Sequence, residues 1–229
     1  MSIIRIVTSN ATHALLRALV HAFERAQQHY TATVEADSAK VMLGRIQNGE
    51  RADLAVLNAP DVDTLATTRI VDPKTQRLFT RSRIGVAVRA GVPHPDIGSV
   101  DALRRTLLAA RAIAHTVHGA SGMYVPKLIE RLGVSCDVKP KIVTRPGGLI
   151  GKLVASGEAE LAIQQIPELL AVAGIEIVGP LPDELQMTFE SALGAFAEGS
   201  NAAGALALAE FFFSPGVAHL FEHHGLERI

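Results

Sequence analysis

The sequence predicts an α/β protein of two Rossmann-like βα lobes joined by two crossing strands. Three observations predict it. Short β-branched runs alternate with amphipathic runs at helical spacing along nearly the whole chain. The turns between them are short and rich in capping residues, Ser9-Asn10, Asp37-Ser38 and Ser99 among them. The alternation also occurs twice, before and after an extended segment at 83–88. A parallel sheet with right-handed crossovers is the economical way to bury such a series.

Ile3 to Thr8 reads as a buried strand, and Ser9-Asn10 opens a helix carrying Leu15, Leu16, Leu19, Val20 and Phe23. Thr31–Ala36 is the second strand. Asp37-Ser38 caps a helix with Val41, Met42, Leu43 and Ile46, which Asn48-Gly49 ends. Asp53–Asn58 is the third strand, and Asp61 starts a short helix. Arg83–Val88 is the first crossing strand, closed by Gly91, Pro93 and Pro95, and Ser99 caps the next helix. The second series begins with strand Ala112–Ala114, the turn 117–122 and a helix ending at Leu132-Gly133. Strand Lys141–Thr144, the turn Arg145–Gly148, helix Leu149–Ala155 and strand Leu161–Ile163 follow. A short helix around Pro167–Leu170, strand Ile175–Val178 and a second crossing segment, Thr188–Phe196, lead to C-terminal helices from Asn201 and Pro215. The expected domains are 1–82 with 197–229 as lobe 1, and 83–196, crossing strands included, as lobe 2. A hinge and an interlobe cleft facing the strand ends are expected.

Composition narrows the function. Of 229 residues 48% are hydrophobic and 20% charged, which fits a protein with a good core. The formal net charge is -1, so no global field recruits nucleic acid, and anion preference must come from local geometry. Cys136 has no intrachain partner, and no spacing of ligands recruits a metal or cofactor; His223-His224 reads as a solvated tail. No run approaches a membrane span. Met1–Val7 enters a strand directly, without a leader pattern, so a cytoplasmic protein is expected, and a periplasmic one where the sequence is a trimmed mature form.

The stretch Val117–Tyr124 organises the site. A strand, a small-residue turn with a serine and a helix start grip an anion, because the first N–H groups of a helix lack partners and carry the positive dipole end. The candidate ligand residues are Ser9, Asn10 and Ser38 in lobe 1, and Ala120, Ser121, Gly122, Gln164 and Gln165 in lobe 2. Each serine also reads as an ordinary helix cap. The glutamines offer both donor and acceptor at a strand end. Arg81 beside Ser82 at the start of a crossing strand, Arg145 in its Pro-Gly-Gly turn and Lys40 are the candidate cations, since arginine holds a carboxylate with paired bonds. His118 and His13 are the candidate catalytic acid–base groups for a proton shift.

Taken together, these segments resemble a known family, the type II periplasmic-binding-protein fold. The resemblance rests on Val7–Asn10, Ala36–Ser38, Asn48–Leu54, Arg83–Gly91, Gly119–Gly122, Ser156–Gln165 and Phe213–Gly225 in that order. It is similar to the branch of molybdate-type oxyanion binders. That likeness implies Ser9 and Ser38 as first-lobe hydroxyls, with the Ala120-Ser121 turn and the end of strand Leu161–Ile163 as second-lobe contacts. Gln164-Gln165 stands where that branch places a tyrosine. The double glutamine and the two glycine turns are closer to a branch similar to aconitate isomerase. Two functions are therefore carried forward. One is an aconitate-isomerase-like enzyme that shifts an allylic proton on a small polycarboxylate. The other is an anion-binding protein without catalysis, either an importer's receptor, with an ABC permease as partner if exported, or a sensor.

Overall fold

A computed structural model describes residues 2–229. In chain order its elements are β1 (Ser2–Ser9), α1 (Asn10–Ala26), β2 (Tyr30–Asp37), α2 (Ala39–Gln47), β3 (Leu54–Asn58), α3 (Ala59–Thr67) and β4 (Arg77–Arg89). Then come α4 (Val100–Ala109), β5 (Ile113–Thr116), α5 (Ala120–Arg131), α6 (Ser135–Val138), β6 (Ile142–Arg145), α7 (Gly151–Ala155), β7 (Leu161–Gln165) and α8 (Ile166–Leu170). The chain closes with β8 (Ile175–Pro180), β9 (Thr188–Ala195), α9 (Ala202–Phe212), α10 (Ala218–His223) and β10 (Glu227–Arg228). It divides into two units, Met1–Arg81 with Phe189–Ile229, and Ser82–Thr188.

In the first unit the strand order is β2-β1-β3-β9-β4, with β10 added to β4. The strands β1, β2 and β3 are parallel, and β9 runs antiparallel to β3. Side chains alternate between two faces, as a pleated strand requires. Ile4, Ile6, Leu54 and Val56 pack with α1, α9 and α10 on one side. Val7, Ala55 and Leu57 pack with α2 and α3 on the other. The helix α1 delivers Leu15, Leu16, Leu19, Val20 and Phe23 to the first of these cores, the set its periodicity predicted. A side chain guards the edge strand: the Glu24 carboxylate accepts the Ala32 N–H at 2.9 Å, blunting an edge that could otherwise pair with another chain.

Buried Asp53 ties three distant segments of this unit together. It accepts hydrogen bonds from Arg5 N at 2.8 Å, Asn201 N at 2.7 Å and the Ser200 hydroxyl at 3.1 Å. One carboxylate thus joins β1, the start of β3 and the lead into α9.

In the second unit β4 lies between β8 and β7, antiparallel to both, and β7, β5 and β6 continue in parallel. Its helices bury Leu103, Leu107, Val125, Leu128, Ile129, Leu153 and Val154.

The structure corrects several expected boundaries. β4 begins at Arg77 rather than Arg83, so Arg81 and Ser82 lie within the strand and not at its start. The cause is Phe79, whose ring lies 5.6 Å from Phe212 and 5.3 Å from Phe221 and holds the segment on the first core. The second-unit boundary falls at Thr188 rather than 196, because Ser191–Ala195 pair with β3. β5 continues through His115 and Thr116, both buried and paired with Thr144 and Arg145. Cys136 sits exposed in the short helix α6. His224, read as part of a solvated tail, is half-buried against the end of α10, and burial, then the charge of His223, hold its imidazole below the usual range.

The turn from β5 into α5 is shaped by a close approach. A Cβ on Gly122 would lie 1.9 Å from the Thr116 carbonyl oxygen, and one on Gly119 would lie 2.4 Å from the Thr116 hydroxyl. Neither glycine has a positive φ. They are needed for room over Thr116, not for backbone freedom.

Two outcomes are expected. Asp53→Ala leaves three donors without their acceptor and lowers unfolding stability by about 2–4 kcal/mol in urea titration. Gly122→Ala forces α5 off Thr116 and lowers stability by about 2 kcal/mol or more, whereas Gly44→Ala, with open space around it, stays within about 1 kcal/mol of wild type.

Candidate functional site

In the first unit the parallel register sets Ser9 opposite Asp37 and Thr8 opposite Val56, so three helices open at the carboxyl ends of three adjacent strands. Ser9 is the N-cap of α1, yet its side chain makes no capping bond. Its hydroxyl is 3.5 Å from the Thr12 hydroxyl, which bonds Thr8 at 2.6 Å, and Thr8 in turn donates to Val56 O. Ala11 and Thr12 N–H therefore point out of the helix end with no partner among the described residues. Ser38 does cap α2, accepting the Val41 N–H at 3.4 Å. Asn10 is half-buried in the first turn, and Lys40 is exposed in the first turn of α2. Asn58, which the sequence reading did not single out, caps the third strand end and donates to Asp61 at 3.0 Å. Burial pushes the Asp61 carboxyl up, and the Asn58 bond opposes that.

The second unit has a matching corner. Thr116 pairs with Arg145 and Ala114 with Ala162, so the ends of β5, β6 and β7 lie level. Gly119 caps α5 without a side chain. The N–H groups of Ala120, Ser121 and Gly122 have no partner among the described residues, and the first bond of the helix is Met123 N–H to Gly119 O. Ser121 is buried beside them, and the Thr116 hydroxyl below is buried with no hydrogen-bond partner. This is a dense set of neutral donors with nothing to donate to, the chemistry of an anion cradle.

The glutamines divide their work. Gln164 accepts Ile150 N–H at 2.9 Å and donates to Gly148 O at 2.8 Å, so its carboxamide fixes the 148–150 turn. Gln165, level with Ile84 of β4, accepts the Ser82 hydroxyl. Behind them lies Glu168, buried in the first turn of α8 and absent from the sequence-derived candidates. Burial pushes its carboxyl up to about 8, against hydrogen bonds from the Gln165 backbone and the Gln164 side chain. Glu168 stands three residues after the N-cap Gln165, whose own side chain makes no capping bond.

Of the candidate cations Arg81 and Arg145 are already engaged, while Lys40 stays exposed at the start of α2. Arg81 holds Glu190 at 2.8 Å and Glu227 at 3.3 Å. Arg145 turns back to Glu158 at 2.8 Å, and Arg83 lies 3.8 Å from Asp183. The histidines also separate. His118 is exposed in the turn before Gly119, its own backbone N–H donating to Pro146 O. His13 lies with Arg17, His21 and Glu24 in a groove between α1 and β2, beside Ala32 and Val34. Burial, then the charge of Arg17, hold its imidazole below the usual range.

A cavity of about 610 Å³ in the second unit lies elsewhere, at the amino-terminal ends of β5 and β7, between Val88, Pro93, Ala110, Ala112 and Leu161. Apolar side chains make up most of its lining, joined by Arg89 and Thr106, and its rim acids Glu158 and Glu160 are paired with Arg145 and Arg111. Among the described residues no group of three or more His, Cys, Asp or Glu side chains could hold a metal. Among the described residues no single helix is long and apolar enough to cross a membrane, and apolar residues of α9 and α10 pack on the first core.

Known proteins resemble the chain along its full length. An aconitate isomerase from Pseudomonas sp is 31% identical over 98% of this chain and 87% of its own length. The periplasmic molybdate-binding protein of Azotobacter vinelandii superposes with a TM-score of 0.81 at 16% identity, covering 97% of this chain and 98% of its own. The sulfate-binding protein SubI of Mycobacterium tuberculosis superposes with a TM-score of 0.78 at 18% identity, covering 100% of this chain and 88% of its own. These superpositions establish the type II periplasmic-binding-protein fold that the strand and cap order implied. Matched over residues 4–227, the chain belongs to the family of bacterial extracellular solute-binding proteins.

Proposed function

We propose that the chain binds a small polycarboxylate and moves an allylic proton on it, as an aconitate-isomerase-like enzyme. The observation that carries this reading is the 31% identity to an aconitate isomerase across 98% of the chain. The strand-end corners support it chemically. The free N–H groups at the start of α5, with Ser121, suit a carboxylate oxygen and the negative charge that develops when an allylic proton leaves. In the first unit Ser9 and the uncapped amides of α1 offer neutral donors of the same kind. In this reading His118 is the base, because it sits one residue before the cap of α5. His13 is the weaker candidate, since its partners line a groove along α1.

One observation favours a second reading, oxyanion binding without turnover, as in an importer's receptor or an anion sensor. Arg81, Arg83 and Arg145 all face carboxylates of this chain, and the helix starts offer mainly neutral donors to an anion.

Proton NMR with cis- and trans-aconitate in heavy water separates the two. Interconversion with deuterium incorporation is expected, and His118→Gln is expected to slow it by about 10²–10⁴-fold with the fold intact. Binding without any exchange, at high protein concentration, leaves the second reading. In thermal-shift titrations Ser121→Ala is expected to weaken the anion that stabilises the wild type by about 10-fold or more, because it removes a hydroxyl donor beside the free amides of α5.

A further inference from the structure

The cavity at the amino-terminal ends of β5 and β7 has no part in the proton-shift reading. It measures about 610 Å³, inside the range of about 300–1,000 Å³ typical of pockets that hold small organic ligands. Buried Val88, Ala110, Val154 and Leu161 make its floor apolar. Pro93 and Pro95 form one wall, in the loop that leads from β4 to α4. That loop is held from two sides. Glu176 of β8 accepts the Gly91 N–H at 3.1 Å and meets His94 Nε2 at 3.0 Å. From α4 the Thr106 hydroxyl donates to Asp96 O at 2.7 Å.

One cation at this cavity has no partner. Arg89, the last residue of β4, lines it, and its guanidinium lies close to Gly157, where a Cβ would stand 3.4 Å from Nη1. The rim acids are matched to other groups. Glu158 takes the Arg145 guanidinium at 2.8 Å and the Ser156 hydroxyl at 2.9 Å. Glu160 accepts the Arg111 backbone N–H at 2.7 Å and faces its guanidinium at 3.6 Å. Among the described residues the Arg89 side chain has neither an ion pair nor a hydrogen bond.

We infer that this cavity is a second binding site, for a small monocarboxylate with an apolar body. The Arg89 guanidinium holds the carboxylate through two parallel hydrogen bonds, and the apolar floor takes the hydrocarbon out of water. The charge count selects the ligand class. One unpaired cation matches one negative charge. A polycarboxylate or a phosphate would bring further charge beside Glu158 and Glu160, whose own cations are already matched. The apolar floor likewise favours a body of about eight carbons over a bare anion, given the size of such pockets. The site lies at the opposite end of β5 and β7 from the α5 corner and differs from it in kind, with a free guanidinium over an apolar floor in place of backbone donors. It stands whether or not the corner moves a proton.

The test uses octanoate as the probe, with acetate as its head alone and octan-1-ol as its tail alone. In calorimetric titration of the whole chain octanoate is expected to bind with a Kd of about 100 µM or tighter, and acetate and octan-1-ol about tenfold more weakly or less. Arg89→Met keeps an apolar stem and loses the charge. It is expected to weaken octanoate by about tenfold or more and to leave octan-1-ol unchanged. Amide NMR of the wild type locates the site: octanoate is expected to shift Arg111, Ala112 and Gly157–Leu161 and to leave Ala120–Gly122 in place. Absence of saturable binding at millimolar octanoate overturns the inference. Equal octanoate affinity in Arg89→Met and wild type overturns it too. So do shifts confined to Ala120–Gly122, which assign the carboxylate to the α5 corner and leave the reading of that corner standing. Should Arg89→Met not fold, the wild-type shift map alone decides.

Discussion

The crossing of α5 over Thr116 is the constraint on which the second unit's corner depends. A helix can start this close to the end of β5 only where two of its first residues lack a Cβ. That closeness brings the unpaired amides of Ala120, Ser121 and Gly122 to the level of the β7 end, where the glutamines lie. It also leaves the Thr116 hydroxyl beneath them without a partner, a cost of about 1–3 kcal/mol in a buried site. Donors left unmet in a well-packed interior are a reservoir that an anion can draw on. The corner therefore gets its attraction from backbone dipoles aimed by packing, with little help from fixed side-chain charge.

The arrangement of the cations follows the same logic. Ion pairs at Arg81 and Arg145 hold charge away from the strand ends. Neutral donors in a buried site can discriminate by shape and proton count, where an arginine would attract any carboxylate.

Much of the layout is legible in the sequence because it is local. Helix caps, β-branched runs and the core positions of α1 follow from spacing within a dozen residues. What is not legible depends on partners far along the chain. Arg81 reads as a free cation until Glu190 and Glu227, 109 and 146 residues away, are brought beside it. The early start of β4 is hidden because Arg77 and Arg81 flank Phe79, and only the ring of Phe212 shows which side is buried. The expected strand ends at Ala114, and pairing with β6 carries it through His115 and Thr116. For Glu168 the place in the first turn of a short helix is legible, but its burial is not.

The interruption of the first unit has a bearing on how the chain is made. Its β9 inserts between β3 and β4, and Asp53 waits for Ser200 and Asn201, all encoded after the second unit. On the ribosome Ser82–Thr188 can finish folding while the leading eighty residues still expose the bare rim of β3. Nascent chains of this protein thus pass through a stage in which the later half is native and the earlier half is sticky, a stage that calls for chaperone attention.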